Sequence, residues 1–350
     1  MSSFMHARYA HLAPYTPGEQ PRDRRYVKLN TNESPFPPSP KVLDAVNGEA
    51  AAQLRLYSDP ESRTLKQALA KAYNVTERNV FTGNGSDECL NFAFMAYGED
   101  GVAFPDVSYG FYAVYAALHA LRADVKPLRD DWTIDTGAYE GIGKTVVLAN
   151  PNAPTGLALS VPDIEALVRA NRSHVVVIDE AYVDFGAESV IPLTKQYENL
   201  LVVQTFSKSR QLAGARVGFA IGHEALIRDL ETLKFSTNPY NINWLSEACA
   251  AAAVGDAAYF DETRRRIIEN RAYTARELES RGFTFPDSKA NFIFAKKEGI
   301  SGEALYLALK ERGILVRHLS GARTADYNRI TIGTRQDMDA LFAALDEILR

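Results

Sequence analysis

The chain has 350 residues, of which 46% are hydrophobic and 24% are charged, and its formal net charge at pH 7 is −5. This length favours one large domain with a smaller second domain, and the ordinary composition excludes a disordered or fibrous protein. The negative charge argues against a surface built to neutralise nucleic-acid phosphates.

The cysteines and the N-terminal segment bear on the cellular compartment. Cys89 and Cys249 lie far apart and lack Cys-x-x-Cys spacing, so we expect buried thiols in a reducing environment. The first 23 residues contain no apolar signal segment, and the alanine-rich run 248–254 is far shorter than the roughly 20 residues of a membrane span. These features predict a soluble, unprocessed protein of the cytoplasm.

The first predicted elements follow an irregular segment. Residues 29–40 (LNTNESPFPPSP) carry four prolines, which predicts an extended connection leading into the first helices. Beyond it, amphipathic stretches alternate with short β-branched runs. Helices are predicted over 62–73, 87–97, 109–120 and 162–172, and strands over 101–104, 144–149, 174–178 and 200–205. Such alternation predicts an α/β fold with a mostly parallel sheet covered by helices.

The pattern changes after residue 254. A long polar helix is predicted over 257–281, followed by strands over 291–295, 314–318 and 329–332 and helices over 301–312 and 336–349. This order predicts a separate α+β domain. We therefore expect an N-terminal arm over 1–40, a large domain over 41–254 and a small domain over 255–350.

Lys208 is the first candidate for chemistry. It follows the apolar run 200–205, which places it beyond the carboxyl end of a strand, where active sites of open α/β sheets lie. A lysine that is partly desolvated among other cations favours the amine, the form that attacks a carbonyl. Ser207 and Arg216 supply the hydroxyl and the fixed cation that a phosphate needs. Taken alone, a lysine beside serines is more often a surface residue.

Asp179 ends the very apolar run VVVID, where a carboxylate needs a strong partner to offset its desolvation. A pyridinium nitrogen is such a partner, because the carboxylate keeps the ring protonated and electron-withdrawing, and Tyr182 can reach the phenolic oxygen of the same ring. A helix N-cap aspartate is the structural alternative.

Small residues precede the second predicted helix. Its first amides, at Gly85, Ser86 and Asp87, could bind a phosphate. The Gly-x-Gly sequence lacks the third glycine and the preceding strand of a dinucleotide fingerprint, so NAD is a poor alternative. Tyr109 could lay its aromatic face on a planar cofactor, although a core tyrosine is equally compatible with this position.

Together these motifs resemble the histidinol-phosphate aminotransferase family of the fold-type I aminotransferases, over nearly the entire chain. The quoted segments are LNTNESP (29–35), YSDP (57–60), GNGSDE (83–88), PNAPTG (151–156), DEAY (179–182), Ser207-Lys208 with Arg216, and NRITIG (328–333). The resemblance implies a seven-stranded, mostly parallel sheet in the large domain. It also implies ping-pong transamination of histidinol phosphate and 2-oxoglutarate to imidazole acetol phosphate and glutamate, in histidine biosynthesis.

The resemblance also implies the roles of the site residues. Lys208 holds pyridoxal 5'-phosphate as a Schiff base and moves the proton at the substrate Cα. Asp179 pairs with the ring nitrogen, Tyr182 with the ring oxygen, and Tyr109 stacks on the ring. The cofactor phosphate is assigned to Gly85, Ser86, Asp87, Ser207, Arg216 and, from the neighbouring subunit, Tyr57. A homodimer with composite sites follows, in which the arm packs on the small domain and the partner.

One position departs from the family pattern. Ala153 stands where the family has the asparagine that donates to the ring oxygen, and Asn152 precedes it. A methyl group cannot donate a hydrogen bond. Either Asn152 therefore adapts, or Tyr182 carries the ring oxygen alone.

By the same resemblance, four residues bind the substrate: Tyr15, Asn32, Arg317 and Arg329. A guanidinium fork suits carboxylate and phosphate equally, and a strand-end salt bridge is the alternative for Arg317. The six histidines lack metal-ligand spacing, so we expect no metal site.

Alternatives within the superfamily are an aromatic amino-acid aminotransferase and a threonine-phosphate decarboxylase, which share the Lys208 constellation. A more distant alternative is a non-catalytic ligand sensor. Such a regulator needs a DNA-binding module, for which the residues before the entry segment are too few and the net charge is too acidic.

Overall fold

Two β-sheets form the framework of the protein, which the computed structural model describes at residues 2, 4–9, 12–13 and 15–350. The strands, in chain order, are β1 (Val27–Leu29), β2 (Val80–Asn84), β3 (Val102–Pro105), β4 (Ala123–Lys126), β5 (Thr145–Ala149), β6 (Val176–Asp179), β7 (Leu200–Thr205), β8 (Val217–Gly222), β9 (Phe283–Thr284), β10 (Phe292–Lys297), β11 (Ile314–His318) and β12 (Asn328–Thr331).

Helices cover both sheets. In chain order they are α1 (Pro40–Ala45), α2 (Gly48–Ala52), α3 (Arg63–Tyr73), α4 (Gly85–Tyr97), α5 (Phe111–Leu118), α6 (Val161–Ala170), α7 (Glu224–Thr237), α8 (Trp244–Val254), α9 (Ala257–Ser280), α10 (Gly302–Glu311) and α11 (Arg335–Ile348). Within the described part of the chain, none of these helices combines the length and the apolar character that crossing a bilayer would require.

The larger sheet has seven strands in the order β2-β8-β7-β6-β5-β3-β4. Strands β4, β3, β5, β6 and β7 run parallel to one another, and β8 pairs antiparallel with both β7 and β2. The predicted α/β fold with a mostly parallel sheet is therefore confirmed. Its central strands are buried on both faces, which is why they appear in the sequence as continuous apolar runs rather than as alternating patterns.

Side-chain alternation divides the core of this sheet in two. Along β7, Leu200 and Val202 face one hydrophobic cluster, to which α3, α6 and α8 contribute. Leu201 and Val203 face the other, to which α4, α5 and α7 contribute. Because successive strand residues point to opposite faces, one apolar strand serves both layers of helices.

The smaller sheet has five strands in the order β1-β11-β12-β10-β9. Strand β1 pairs parallel with β11, and the remaining pairs are antiparallel. Helices α9, α10 and α11 pack on it through a third cluster that includes Ile267, Leu305 and Leu341. The predicted second α+β unit is confirmed, but its first strand comes from residues 27–29, which sequence patterning did not reveal.

One sequence-based statement is wrong. A strand does precede the Gly83–Gly85 turn, since β2 ends at Asn84 and α4 begins at Gly85. Gly83 and Asn84 are residues that strands disfavour, but antiparallel pairing with β8 supplies their hydrogen bonds. This edge strand is not the first strand of a parallel βαβ unit, and the third glycine is missing, so a dinucleotide site remains unsupported.

The parallel topology gathers polar side chains at one edge of the sheet. Strands β5 and β6 end side by side at Ala149 and Asp179, and β7, in which Val203 is opposite Asp179, continues two residues further to Thr205. Loops that follow parallel strands emerge at the same edge. The loop carrying Lys208 therefore lies beside Asp179, although 29 residues separate them in the sequence.

The core of this sheet sets the stability of the site that it carries. Leu201, the second residue of β7, is 0% exposed, so Leu201→Ala should lower the free energy of unfolding by about 2–5 kcal/mol, measured by urea denaturation. Leu307→Ala is the control, because Leu307 is 50% exposed on α10. Equal losses in the two variants would contradict the layered core.

Candidate active site

The loop after β7 holds Lys208 in a partly buried position. Its Nζ donates to the carbonyl oxygen of Thr31 at 3.2 Å and lies 5.8 Å from the centre of the Tyr182 ring. The next residue, Ser209, donates from Oγ to Asp184 Oδ2 at 2.5 Å. Because Asp184 follows Tyr182 by two residues, this bond ties the lysine loop to the loop after β6.

A cavity of about 260 Å³ opens beside Lys208. Its lining includes eight residues predicted from the sequence, namely Ser86, Asp87, Tyr109, Asp179, Tyr182, Ser207, Lys208 and Arg216. It also includes Ala153, which the resemblance placed at the ring-oxygen position, and residues that were not predicted, namely Thr31, Glu33, Ala149, Ala181, Thr205 and Ala213. The four alanines have small side chains that leave room in the cavity. The polar groups come from separate elements and converge there, as in small-molecule sites.

Asp179 lies at the buried end of the cavity and is 4% exposed. Its Oδ2 accepts a hydrogen bond from Tyr112 Oη at 2.8 Å, and its Oδ1 accepts one from the Ala181 amide at 3.1 Å. Burial raises the pKa of Asp179 to about 6, although both hydrogen bonds act in the opposite direction. The N-cap alternative fails, because the next helical turn begins at Val183 with Tyr182 at its N-cap.

Ser86 and Asp87, at the N-terminal end of α4, also line the cavity. Gly85 adopts φ +76°, and a Cβ on it would approach Arg216 Nη2 to 2.5 Å. A Cβ on Gly218 would approach the Ser86 amide nitrogen to 2.2 Å. These glycines let the first turn of a 13-residue helix, with its unpaired amides, meet a guanidinium group. An anion is stabilised at such a junction by the helix dipole and the cation together.

The Asp87 carboxylate holds the groups at this end in place. Its Oδ2 accepts from Arg216 Nη2 at 2.9 Å, and its Oδ1 accepts from Tyr109 Oη at 2.6 Å. The Tyr109 ring also meets the ring of Tyr112 edge to face, with centroids 5.6 Å apart at 86°. Tyr109 is thus fixed from two sides, with its ring lining the cavity.

The chemistry of this donor set fits pyridoxal 5'-phosphate. The helix N-terminus and Arg216 suit a phosphate ester, the Tyr109 ring suits an aromatic face, and the buried Asp179 suits a protonated ring nitrogen. Lys208 supplies an amine beside them. The cradle made by Gly85 and Gly218, which any side chain would fill, is the most specific of these observations.

Tyr182 and Asn32 form a contact between the two sheets. Asn32 donates from Nδ2 to Tyr182 Oη at 3.0 Å, and its Oδ1 accepts from Thr331 Oγ1 at 3.0 Å. Asn32 is buried and adopts φ 56°. The phenol accepts from Asn32, so its own proton remains to be donated into the cavity.

Asn152 does not reach the cavity. Its Oδ1 accepts from Ser108 Oγ at 2.7 Å, and its Nδ2 donates to the Val107 carbonyl at 3.0 Å and to Thr155 Oγ1 at 3.2 Å. Ala153, by contrast, lines the cavity. Of the two alternatives for this position, the geometry therefore favours Tyr182 acting without Asn152.

The predicted substrate-binding arginines lie outside the cavity that Lys208 lines. Arg329 is opposite Arg317 in the β11–β12 register, donates to the Asn30 carbonyl at 3.1 Å, and has a buried Nε without a partner among the described residues. Burial lowers the pKa of Arg329, while the nearby phenols of Tyr182 and Tyr15 oppose this effect.

Arg317 binds the N-terminal arm in this structure. Its Nη1 and Nη2 donate to the carbonyl oxygens of Pro17 at 3.2 Å and Thr16 at 3.0 Å. It makes no ion pair within residues 15–350, so a strand-end salt bridge does not explain it. Tyr15 packs on Phe111 with ring centroids 4.4 Å apart. The arm thereby spans from the small sheet to α5 of the larger one.

Tyr57 is another predicted residue that does not line the Lys208 cavity of its own chain. Its side chain is 80% exposed and stacks on Tyr240 with centroids 4.5 Å apart. It is absent from the described lining of the Lys208 cavity.

Sequence reasoning missed four polar residues near the site, namely Thr31, Glu33, Tyr112 and Thr205. The Thr31 carbonyl accepts a hydrogen bond from Lys208 Nζ, Glu33 and Thr205 line the cavity, and Tyr112 donates to Asp179. Thr31 and Glu33 lie inside the quoted segment LNTNESP, which was a usable signal. Tyr112 carried no such signal, because only the packing of α5 against β6 shows which tyrosine meets the carboxylate.

Comparison with known proteins assigns the chain to a family. A family model described as aminotransferase class I and II matches residues 24–345. The chain is 51% identical to a histidinol-phosphate aminotransferase of Marinomonas sp. (strain MWYL1) over 99% of both chains, and 47% identical to one of Brachyspira hyodysenteriae over 100% of both.

Solved structures agree with this assignment. The crystal structure of histidinol-phosphate aminotransferase from Sinorhizobium meliloti in complex with pyridoxal-5'-phosphate matches 100% of this chain and 98% of its own, with a TM-score of 0.90 and 27% identity. The L-threonine-O-3-phosphate decarboxylase of Porphyromonas gingivalis, at 20% identity and a TM-score of 0.78, shares the fold.

We expect the Asn152 side chain to stabilise the folded protein. Asn152→Ala removes three hydrogen bonds from a buried amide and should lower the free energy of unfolding of the cofactor-free protein by about 1–3 kcal/mol, measured by urea denaturation. The exposed Asn238, which makes no side-chain hydrogen bond in the described chain, is the matched control, and its alanine variant should stay within about 0.5 kcal/mol of wild type. An unchanged stability in Asn152→Ala would show that its amide is free to serve the cavity.

Proposed function

We propose that this chain, which belongs to the histidinol-phosphate aminotransferase family within the class I and II aminotransferases, transfers the amino group of histidinol phosphate to 2-oxoglutarate in histidine biosynthesis. The observation that carries the reaction type is the convergence of Lys208, the buried Asp179 and the Arg216 cradle on one cavity. The full-length relatives at 51% and 47% identity support the substrate.

The enzyme is a pyridoxal-phosphate-dependent aminotransferase. When bound, the cofactor supplies a protonated aromatic ring that withdraws electrons from the substrate Cα–H bond. We assign Lys208 to attachment of the cofactor and to moving the proton on and off Cα, since its Nζ is the one lysine amine among the described residues that line the cavity.

The remaining cofactor contacts divide by chemistry. We assign Asp179 to the ring nitrogen and Tyr109 to the ring face. Tyr182 would serve the ring oxygen, because its hydroxyl accepts from Asn32 and keeps a proton to donate. The phosphate would be held by the amides of Gly85, Ser86 and Asp87, by Ser207 and Arg216, and by Tyr57 of a second copy.

We place the anionic end of the substrate at Arg329 and Arg317, with Tyr15 and Asn32 beside them. The unpaired Nε of Arg329 supports this assignment, because a buried guanidinium gains from an anion that satisfies it. Histidinol phosphate would present its phosphate there, and 2-oxoglutarate a carboxylate, so one anion site would serve both halves of the ping-pong reaction.

A homodimer is supported by an exposed apolar surface around Tyr57. Leu43 on α1, Val46 just after it, and Leu54 and Leu56 in the segment after α2 are exposed with it. Clustered exposed apolar side chains mark interaction sites. We propose that two copies meet here and that each lends Tyr57 to the other, with the arm (1–40), the large domain (41–254) and the small domain (255–350) as the units of each copy.

The backbone that carries Tyr57 is firmly held. Trp244 Nε1 donates to the Tyr57 carbonyl at 3.0 Å, and Ser58 Oγ donates to the Ile242 carbonyl at 2.6 Å. The buried Lys234 donates to the Pro60 carbonyl at 2.8 Å. An outward-facing aromatic side chain on an anchored segment is suited to contact a partner, because little conformational entropy remains to be lost on association.

The cysteines support a cytoplasmic location for the enzyme. Cys89 and Cys249 are both free and buried, as expected in a reducing compartment.

Substrate preference tests the proposed reaction. With 2-oxoglutarate as acceptor, kcat/KM for histidinol phosphate should exceed that for phenylalanine by roughly a hundredfold or more. The apolar side chain of phenylalanine would leave the two guanidinium groups of the pocket without an anionic partner. Threonine phosphate should release no carbon dioxide. Lys208→Ala provides the inactive control, and phenylalanine consumed as fast as histidinol phosphate would refute the assignment.

Tyr57 tests the composite site. Tyr57→Phe should weaken cofactor binding roughly tenfold, measured by fluorescence titration, because one hydrogen bond to a charged group is lost. The control is Tyr240→Phe, which removes a hydroxyl from the stacked neighbour and should leave binding unchanged.

Mixed dimers decide which subunit Tyr57 serves. Tyr57→Ala and Lys208→Ala chains, refolded together at limiting cofactor, should recover about one quarter of the wild-type activity, because half the dimers carry one intact site. No recovery above the Tyr57→Ala dimer would mean that Tyr57 serves its own chain.

A further inference from the structure

Tyr112 is a fully buried tyrosine behind the cavity. It lies in the first turn of α5, packed between Phe94 and Phe104 at centroid distances of 6.1 and 5.9 Å. It does not line the cavity. Its polar atom nevertheless has one specific partner, because Oη donates to Asp179 Oδ2 at 2.8 Å.

The direction of this hydrogen bond is fixed. Burial, followed by the adjacent Asp179 carboxylate, holds the pKa of Tyr112 well above its usual range. The phenol is therefore neutral at any working pH and donates its proton to the carboxylate. A donor to the ionised form favours that form.

Asp179 depends on such donors. Burial raises the pKa of Asp179 to about 6, and the charge of Asp87 on α4 acts in the same direction, whereas Lys208 opposes it from the loop after β7. The two hydrogen bonds to its oxygens in the described chain come from Tyr112 and the Ala181 amide. The Ala181 amide belongs to the backbone, so Tyr112 is the side chain whose hydrogen bond favours the ionised form of Asp179 over the protonated form.

The same tyrosine supports the aromatic wall of the cavity. Its ring and the ring of Tyr109 meet edge to face at 86°, with centroids 5.6 Å apart. Tyr109 is held at its other end by Asp87. One buried side chain therefore fixes the carboxylate and the ring face relative to each other.

We propose that Tyr112 is a positioning residue that keeps Asp179 ionised and aligned with Tyr109, so that the ring nitrogen of the bound cofactor retains its proton. The inference rests on the proposed function only in requiring that the cavity bind pyridoxal 5'-phosphate. It is independent of which amino donor the enzyme uses. Without the phenol, the proton shared between the ring nitrogen and Asp179 moves toward the carboxyl group.

The test is the protonation state of the ring nitrogen in the holoenzyme. Tyr112→Phe, loaded with ring-15N pyridoxal 5'-phosphate, should show its 15N resonance displaced toward the unprotonated pyridine value. In the cofactor-free protein, the pKa of Asp179 should rise by about one to two pH units, followed by 13C NMR of the carboxyl group. A folded Tyr112→Phe enzyme with an unchanged 15N shift would overturn the proposal.

Tyr97→Phe is the matched control. Tyr97 packs against the same core, and its hydroxyl donates to the Leu226 carbonyl at 2.9 Å, remote from Asp179. Its variant should lose stability without moving the 15N resonance. Equal displacement in both variants would reduce Tyr112 to a packing role and contradict the inference.

A second substitution covers the case in which Tyr112→Phe does not fold. A 3-fluorotyrosine at position 112 keeps the shape of the side chain and is a stronger donor. It should move the 15N resonance toward the protonated pyridinium value, and no movement or the opposite displacement would contradict the proposal. Failure of the wild-type enzyme to turn over histidinol phosphate would refute the proposed substrate while leaving this comparison intact.

Discussion

A carboxylate buried at the end of the central strand β6 is the constraint on which the site depends. Asp179 costs free energy to bury, and the protein offsets that cost with two donors, Tyr112 and the Ala181 amide, rather than with a permanent cation. The carboxylate therefore keeps the capacity to pair with a cationic ring. Strands β5 and β7 on either side, fully buried and in register, hold it in place.

The second organising feature is the segment that joins the two sheets. Residues 30–33 leave β1 in the smaller sheet and contribute Thr31 and Glu33 to the lining of the cavity. Three hydrogen bonds start from this segment. The Thr31 and Asn30 carbonyls accept from Lys208 and Arg329, and the Asn32 amide donates to the Tyr182 hydroxyl. The proposed cofactor groups of the larger sheet and the proposed substrate arginine of the smaller one are thus linked through a few residues. Movement of one sheet against the other would therefore shift Thr31 and change its hydrogen bond with Lys208.

Much of the fold follows from local patterning, since β7 and β11 were predicted to the residue and the other predicted elements lie within a few positions of the observed ones, although β4, β8 and α7 were not predicted. The failures have physical causes. Strand β2 contains Thr-Gly-Asn, and its pairing with β8 comes from residues more than a hundred positions away. Strand β1 has three residues and pairs with β11 near the other end of the chain. Sequence windows contain neither partner.

For the site, the sequence by itself determined the residue types and their order: a lysine after a strand, an aspartate ending an apolar run, and small residues opening a helix. These are consequences of strand burial and helix-end chemistry, which are local. The tertiary structure alone decided which groups meet. It directs the Asn152 amide to Ser108 rather than to the cavity. It also places Asp87 where it accepts hydrogen bonds from Tyr109 and Arg216, and Tyr112 where it donates to Asp179. Each of these contacts joins elements that are distant in the chain, and only the packing of helices on the sheet fixes their geometry.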